Sequence, residues 1–298
     1  MEINDIKLSK MQAVMLAKQL LAKRQETKKP PYGISVESVS SIYLDVGTKL
    51  GGKLSNASGA LLRLGNGPTF LVTNRHVVTG LHQGTNKTLS KSGAVPDQIV
   101  ALIPAEEPTE GMVFYGIELS LVDKDFSPLW IEHPTLGAKA DIVALPLHNI
   151  SVPPEQIRRF TYDLTKPRVA YLGPGDIVSV VGFPFGKSVN NTAIWATGFI
   201  ATEVGADFEN LPVMLIDCRS REGQSGSPVL FSRQNAIVPT GQRSSAMYSG
   251  RVTDFLGIYS GRINSESDLG RVWKASAIAE LLEAGTAKVS ASDSQPGS

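Results

Sequence analysis

Apolar and polar positions along this chain change over in short runs, most of them too brief for helices. β-branched and aromatic stretches bounded by Gly, Pro, Asn or Ser recur from about Ile34 to Tyr259. The clearest are Ala60–Leu64, Thr69–Thr73, Ile99–Ile103, Ile142–Leu147, Ile177–Val181, Val213–Ile216 and Phe255–Tyr259. Each reads as a strand, and a succession of short strands with little helical periodicity between them predicts an all-β fold. Helical spacing is confined to the ends. Ala13, Leu16, Ala17, Leu20 and Leu21 form one stripe, which suits either a helix packed against the strands or an arm that binds a regulatory partner protein. Arg271–Ala284 reads as a second helix, with Trp273, Ile278, Leu281 and Leu282 on related faces.

These patterns divide the chain into a helical extension over residues 1–32, a β unit over 33–155, a second over 156–270, a helix over 271–286 and a disordered tail over 287–298. The Pro-rich Ser151–Pro154 marks the join between the β units. A length of 298 residues, 42% hydrophobic with 28 glycines, allows a sizeable core. The net charge of +1, with no long basic run, argues against a nucleic-acid partner. Cys218 is the only cysteine, so no intrachain disulfide forms, and it reads as buried packing, not as a second nucleophile. With Glu2 and Asp5 in Met1–Lys10, no signal peptide is expected, and no run of about 18 apolar residues spans a membrane. A cytoplasmic, reducing location follows as an expectation. The histidines are not at ligand spacing and the glycine-rich segments lack nucleotide-binding form, so neither a metal nor a cofactor is expected.

Chemistry concentrates at Gly223-Gln224-Ser225-Gly226-Ser227-Pro228. Flanking glycines permit a sharp turn and close approach to main-chain N–H groups. A serine there is either part of an ordinary turn or a nucleophile, and a nucleophile needs a base oriented by a carboxylate. The four histidines, His76, His82, His133 and His148, all precede Ser225, which excludes the α/β-hydrolase order. His76 ends the run from Thr69, so a strand delivers it to an edge; the others sit in turn-like surroundings and read as surface residues. Asp141 lies at the mouth of an apolar strand, where burial requires donors such as a histidine N–H. Asp45 is the competing acid.

Together, Thr73-Asn74-Arg75-His76-Val77-Val78, Ala140-Asp141-Ile142-Val143-Ala144-Leu145 and the Ser225 hexapeptide resemble the trypsin/chymotrypsin-like serine peptidases over roughly residues 40 to 270. The bacterial, disulfide-free members, including the Htr-type proteases, are the most similar, although no room for a PDZ-like module follows residue 285. The resemblance implies two antiparallel six-stranded β-barrels with the active site between them, His76 and Asp141 in the first and Ser225 in the second. It implies a serine endopeptidase acting on polypeptides through a His76, Asp141, Ser225 triad, with Gly223 and Ser225 N–H groups as the oxyanion hole. It places Arg219 at the base of the primary specificity pocket, where a buried arginine would favour acidic side chains. Tyr259, Ser260 and Gly261 form the wall that pairs with extended substrate. The alternative is a silent or partner-activated relative that keeps the fold as a peptide-binding module. Gln224 replaces the aspartate that many relatives use to pair with a newly cut N-terminus, so no activation by N-terminal cleavage is expected.

Overall fold

The computed structural model describes residues 33–293 except 51, 108, 110, 148 and 149. The expected N-terminal helix over residues 1–32 lies outside the described residues, as does His148. Strands dominate, and all seven of the clearest apolar runs fall largely within them.

After a short helix α1 (Val36–Ser40), eight strands build the first unit: β1 (Ser41–Thr48), β2 (Gly52–Arg63), β3 (Phe70–Thr73), β4 (Gln98–Glu107), β5 (Gly111–Ser120), β6 (Ile131–Glu132), β7 (Val143–Pro146) and β8 (Tyr162–Asp163). A helical turn α2 (Arg75–Thr79) follows β3, and α3 (Pro154–Ile157) follows β7. The sheet runs β5-β4-β1-β2-β3-β7-β6, with β8 parallel to β2. Strands β5 and β6, at the two ends of this order, are not themselves paired, but the chain just beyond β5 meets the chain just before β6 through the Val122–Pro128 bridge and the Leu129 N–H bond to the Leu121 carbonyl at 2.9 Å. The second unit comprises β9 (Ile177–Gly182), β10 (Ile194–Ile200), β11 (Val213–Asp217), β12 (Pro228–Gln234), a side hairpin of β13 (Ile237–Gly241) and β14 (Ser244–Met247), then β15 (Arg251–Arg262) and β16 (Leu269–Lys274). Six of these close into an antiparallel barrel in the order β10-β11-β16-β15-β12-β9.

Strand alternation sends successive side chains to opposite faces, and in the first sheet both faces are covered. Ile42, Leu44, Leu61 and Leu71 point into one core, whereas Ala60, Leu62, Phe70 and Val72 join a second with Val213, Ile258 and Trp273 of the barrel. The second core ties the units together. The last helix α4 (Ala275–Asp293) seals it, because Ile278, Leu281 and Leu282 fall at helical spacing and are wholly buried there. Each such side chain contributes about 1.5–3 kcal/mol by leaving water. Two expectations shift. Trp273 belongs to β16, since Leu269–Trp273 pairs with β11, and α4 continues to Asp293 through part of the expected tail.

Candidate active site

β3 ends at Thr73, and Asn74 turns the chain into α2, so His76 sits on the first turn of a helix and not at a strand end as the run of apolar residues suggests. Gly80, with φ +65, closes the helix by donating its N–H to the His76 carbonyl at 3.0 Å. Asp141 lies just before β7 and is 4% exposed. Its Oδ2 accepts from the His76 ring Nδ1–H at 2.7 Å, and its Oδ1 accepts from the His76 backbone N–H at 2.9 Å. The Asn74 carboxamide Nδ2 donates to the Asp141 carbonyl at 2.7 Å. The two bonds from His76 supply the donors that the buried carboxylate requires, and the Asn74 bond holds its main chain. With a proton on Nδ1, the His76 Nε2 is left as an acceptor. Asp45, the competing acid, instead pairs with Lys53 at 3.1 Å.

Ser225 lies on the turn between β11 and β12. Gly223 has φ +90 and Gly226 φ +86, a region that side chains resist. A Cβ on Gly226 would lie 1.9 Å from the Ser58 carbonyl oxygen, and one on Gly223 would lie 2.5 Å from both Asn56 Oδ1 and the Phe183 carbonyl oxygen. Both glycines are therefore fixed by packing as well as by backbone angle. Two bonds from Ser58 of β2 reach the loop, and a third ties Ser58 to the chain after β9. Ser58 N–H donates to the Ser225 carbonyl at 2.8 Å, Ser58 Oγ donates to the Gly223 carbonyl at 2.8 Å, and the same Oγ accepts from Phe183 N–H at 3.1 Å. From the other side, Gly226 N–H donates to the Tyr259 carbonyl of β15 at 2.9 Å. Among the described residues, the N–H groups of Gly223 and Ser225 meet no protein acceptor. Gln224 is fully buried, and its Oε1 accepts from Arg221 N–H at 2.7 Å.

His76, Asp141, Gly223, Ser225, Ser260 and Gly261 all line one cleft of about 840 Å³, to which both β units contribute. Two of the sequence-derived residues are not brought to it. Arg219 has a side chain 84% exposed, 3.8 Å from Asp268, so the picture of a buried arginine at a pocket base is corrected. Tyr259 is buried inside the barrel, where its hydroxyl bonds to Ser220 Oγ. His82 is exposed at the cleft, as expected, whereas His133 is 2% exposed and is corrected from surface to core. Cys218 is buried, and burial, with Asp217 and Asp268 nearby, pushes its thiol up to about 11. It is no rival nucleophile at neutral pH. Sequence reasoning missed Asn56, Ser58 and Asn74. Their one signal is Ser58-Gly59 inside an apolar strand, a pair that marks close backbone approach.

A family model described as a trypsin-like peptidase domain matches residues 57–238, a span that contains His76, Asp141 and Ser225. No curated protein matches the chain. Among solved structures, the active form of the Rv3671c protease from M. tuberculosis is similar at 15% identity and a TM-score of 0.42, over 86% of this chain and 93% of that one. An HtrA-type protease, AlgW, with a tripeptide, is similar at 15% identity and 0.46, over 84% of this chain and 63% of that one. A serine endoprotease from Yersinia pestis follows at 13% identity and 0.44, over 85% and 69%.

Proposed function

The chain belongs to the trypsin-like peptidase family, and from that premise we propose that it hydrolyses polypeptides through Ser225, with His76 as base and Asp141 orienting it. The observation that carries this reading is the 2.7 Å bond between His76 Nδ1 and Asp141 Oδ2, made in the same cleft that Ser225 enters.

The roles follow from the atoms. Asp141 keeps the ring proton on Nδ1 and turns Nε2 toward the cleft, where it takes the hydroxyl proton as Ser225 Oγ bonds to the substrate carbonyl carbon. Negative charge then gathers on the carbonyl oxygen. The N–H groups of Gly223 and Ser225, which meet no acceptor among the described residues, are the donors for that oxygen. The imidazolium, stabilised by Asp141, returns its proton to the leaving nitrogen as the C–N bond breaks. An acyl ester on Ser225 remains, and water releases it by the same steps in reverse roles.

Substrate orientation rests on β15. Its register with β16 shifts between Tyr259 and Arg262, so Ser260 and Gly261 form a bulge whose backbone faces the cleft. Main-chain pairing of an extended substrate at Ser260 and Gly261 is the binding mode we assign to the acyl side. Cys218 is the only cysteine, so the chain can form no intrachain disulfide, which is the ground for proposing a reducing, cytoplasmic setting.

Replacing Ser225 by alanine tests the proposal. Peptide hydrolysis should fall by about four to six orders of magnitude in kcat. Activity retained at the parent level would remove Ser225 from the reaction.

A further inference from the structure

The barrel also carries a surface that takes no part in the cleft. Between β12 and β15 the chain makes the side hairpin of β13 and β14, and neither strand lines the cleft. β12 leads away from the nucleophile loop for 7 residues before the hairpin begins, which puts the hairpin about 20 Å from Ser225.

One edge of the hairpin is closed and the other is open. On the β13 side, Tyr171 N–H donates to the Pro239 carbonyl at 2.8 Å. On the β14 side no further strand pairs among the described residues. The register fixes what that edge presents. Tyr248 N–H donates to the Ala236 carbonyl at 3.0 Å and Ala246 pairs with Val238, so Ser245 and Met247, which alternate with these, turn their N–H and C=O groups outward. Proteins blunt such edges with lysine, proline or a covering element, and Ser244-Ser245-Ala246-Met247 contains neither residue. The side chains add to this. Val238 is buried in the barrel core, whereas Ile237 and Met247, opposite each other in the register, are 66% and 80% exposed. An apolar cross-strand pair thus stands in water beside an open backbone edge.

The charge around it has one sign. From Gly223 to Ser260 the only acid is Asp254, against Arg233, Arg243 and Arg251. Asp254 is buried and accepts from the Val169 and Ala170 N–H groups, beside the exposed Arg168. Arg233 and Arg251 lie at the strand ends from which the hairpin springs, and Arg243 is in its turn. None of these four arginines forms an ion pair among the described residues. Glu37, which attracts Arg251, already accepts from Ser35 and Thr253. A second copy of this chain would bring the same positive charge to the edge and be repelled, whereas an acidic chain is complementary to it.

We infer that β14 binds an extended acidic polypeptide segment as an added strand. The main chain of the segment pairs with Ser245 and Met247, an apolar side chain packs beside Met247 and Ile237, and its carboxylates face Arg233, Arg243 and Arg251. This is a second polypeptide-binding surface, remote from Ser225 and independent of its chemistry, and it recruits proteins by a segment other than the one in the cleft.

The test is fluorescence anisotropy of a short labelled peptide that alternates glutamate with valine, titrated with the Ser225→Ala chain so that nothing is cut. Binding should weaken as salt rises, and the same peptide with lysine for glutamate should not bind. Ser245→Pro removes an outward N–H without breaking a bond inside the hairpin, and Arg243→Glu reverses a charge without touching the backbone. Each should weaken binding about tenfold. Unchanged binding in both variants, equal binding of the lysine peptide, or no binding of the acidic peptide to the parent would overturn the assignment. So would a parent that sediments as a dimer and becomes monomeric with Ser245→Pro, since its own copy would then occupy the edge.

Discussion

Ser58 shows how one small side chain positions the site. Its hydroxyl is fully buried and bridges the Gly223 carbonyl and the Phe183 N–H, two groups with no other route to satisfaction. Ser58→Ala should cost about 1–3 kcal/mol of unfolding free energy and lower kcat more than it raises KM, since the Gly223 N–H loses its fixed direction. Denaturant titration together with steady-state kinetics reads both, and an unchanged kcat would separate the hydroxyl from the oxyanion loop. The Ser225 hexapeptide was legible in the sequence because its chemistry is local: glycines in a turn around a hydroxyl. Ser58 was not, since its partner lies 165 residues away and a serine in a strand has no local signature. Arg219, which the family resemblance placed at a pocket base, instead points its side chain into water.

At the scale of elements, periodicity located the strands and the closing helix, while the short turns escaped it. Helix α2 is 5 residues long and β-branched, so nothing in its pattern separates it from the end of β3. His133, read from its Pro-rich surroundings as a surface residue, is covered when α4 docks across the first sheet, and its Nε2 comes within 3.6 Å of Glu280. That separation exceeds a hydrogen bond. Burial holds the His133 ring neutral below its ordinary value of 6.5, while Glu280 pulls the other way without prevailing. The unfolded chain therefore takes up a proton that the folded chain refuses. Stability contributed by this site is complete above pH 6.5 and is lost as pH falls from there toward the lowered folded value. Thermal melts from neutral to about pH 5 should show Tm falling through this window, with a shallower fall in His133→Gln. An identical slope in the variant would place the acid sensitivity elsewhere.

The whole molecule brings together residues that three distant stretches of chain contribute to one cleft. His76 and Asp141 come from an eight-stranded sheet and Ser225 from a closed barrel, joined through the shared core under α4. The β content was readable from the run lengths. Closure of the second unit was not, because it depends on whether strands as far apart as β9 and β12 meet, and the apolar pattern says nothing of that. Gln224 also acts at this scale, since its Oε1 is held by the Arg221 N–H of its own loop, its buried Nε2 meets no acceptor among the described residues, and it offers no carboxylate to a distant N-terminus. A chain trimmed to begin near Pro30 should therefore cleave peptides about as fast as the full chain, and a large gain on trimming, measured as kcat/KM, would contradict a loop built without that ion pair.

The central claim is that Ser225 is a nucleophile activated by His76. Intact-mass spectrometry after fluorophosphonate treatment, with the adduct mapped by peptide, measures it directly. A single adduct on Ser225, absent in Ser225→Ala and strongly slowed in His76→Ala, is the predicted result. No adduct, an adduct on another residue, or undiminished labelling in His76→Ala would contradict it.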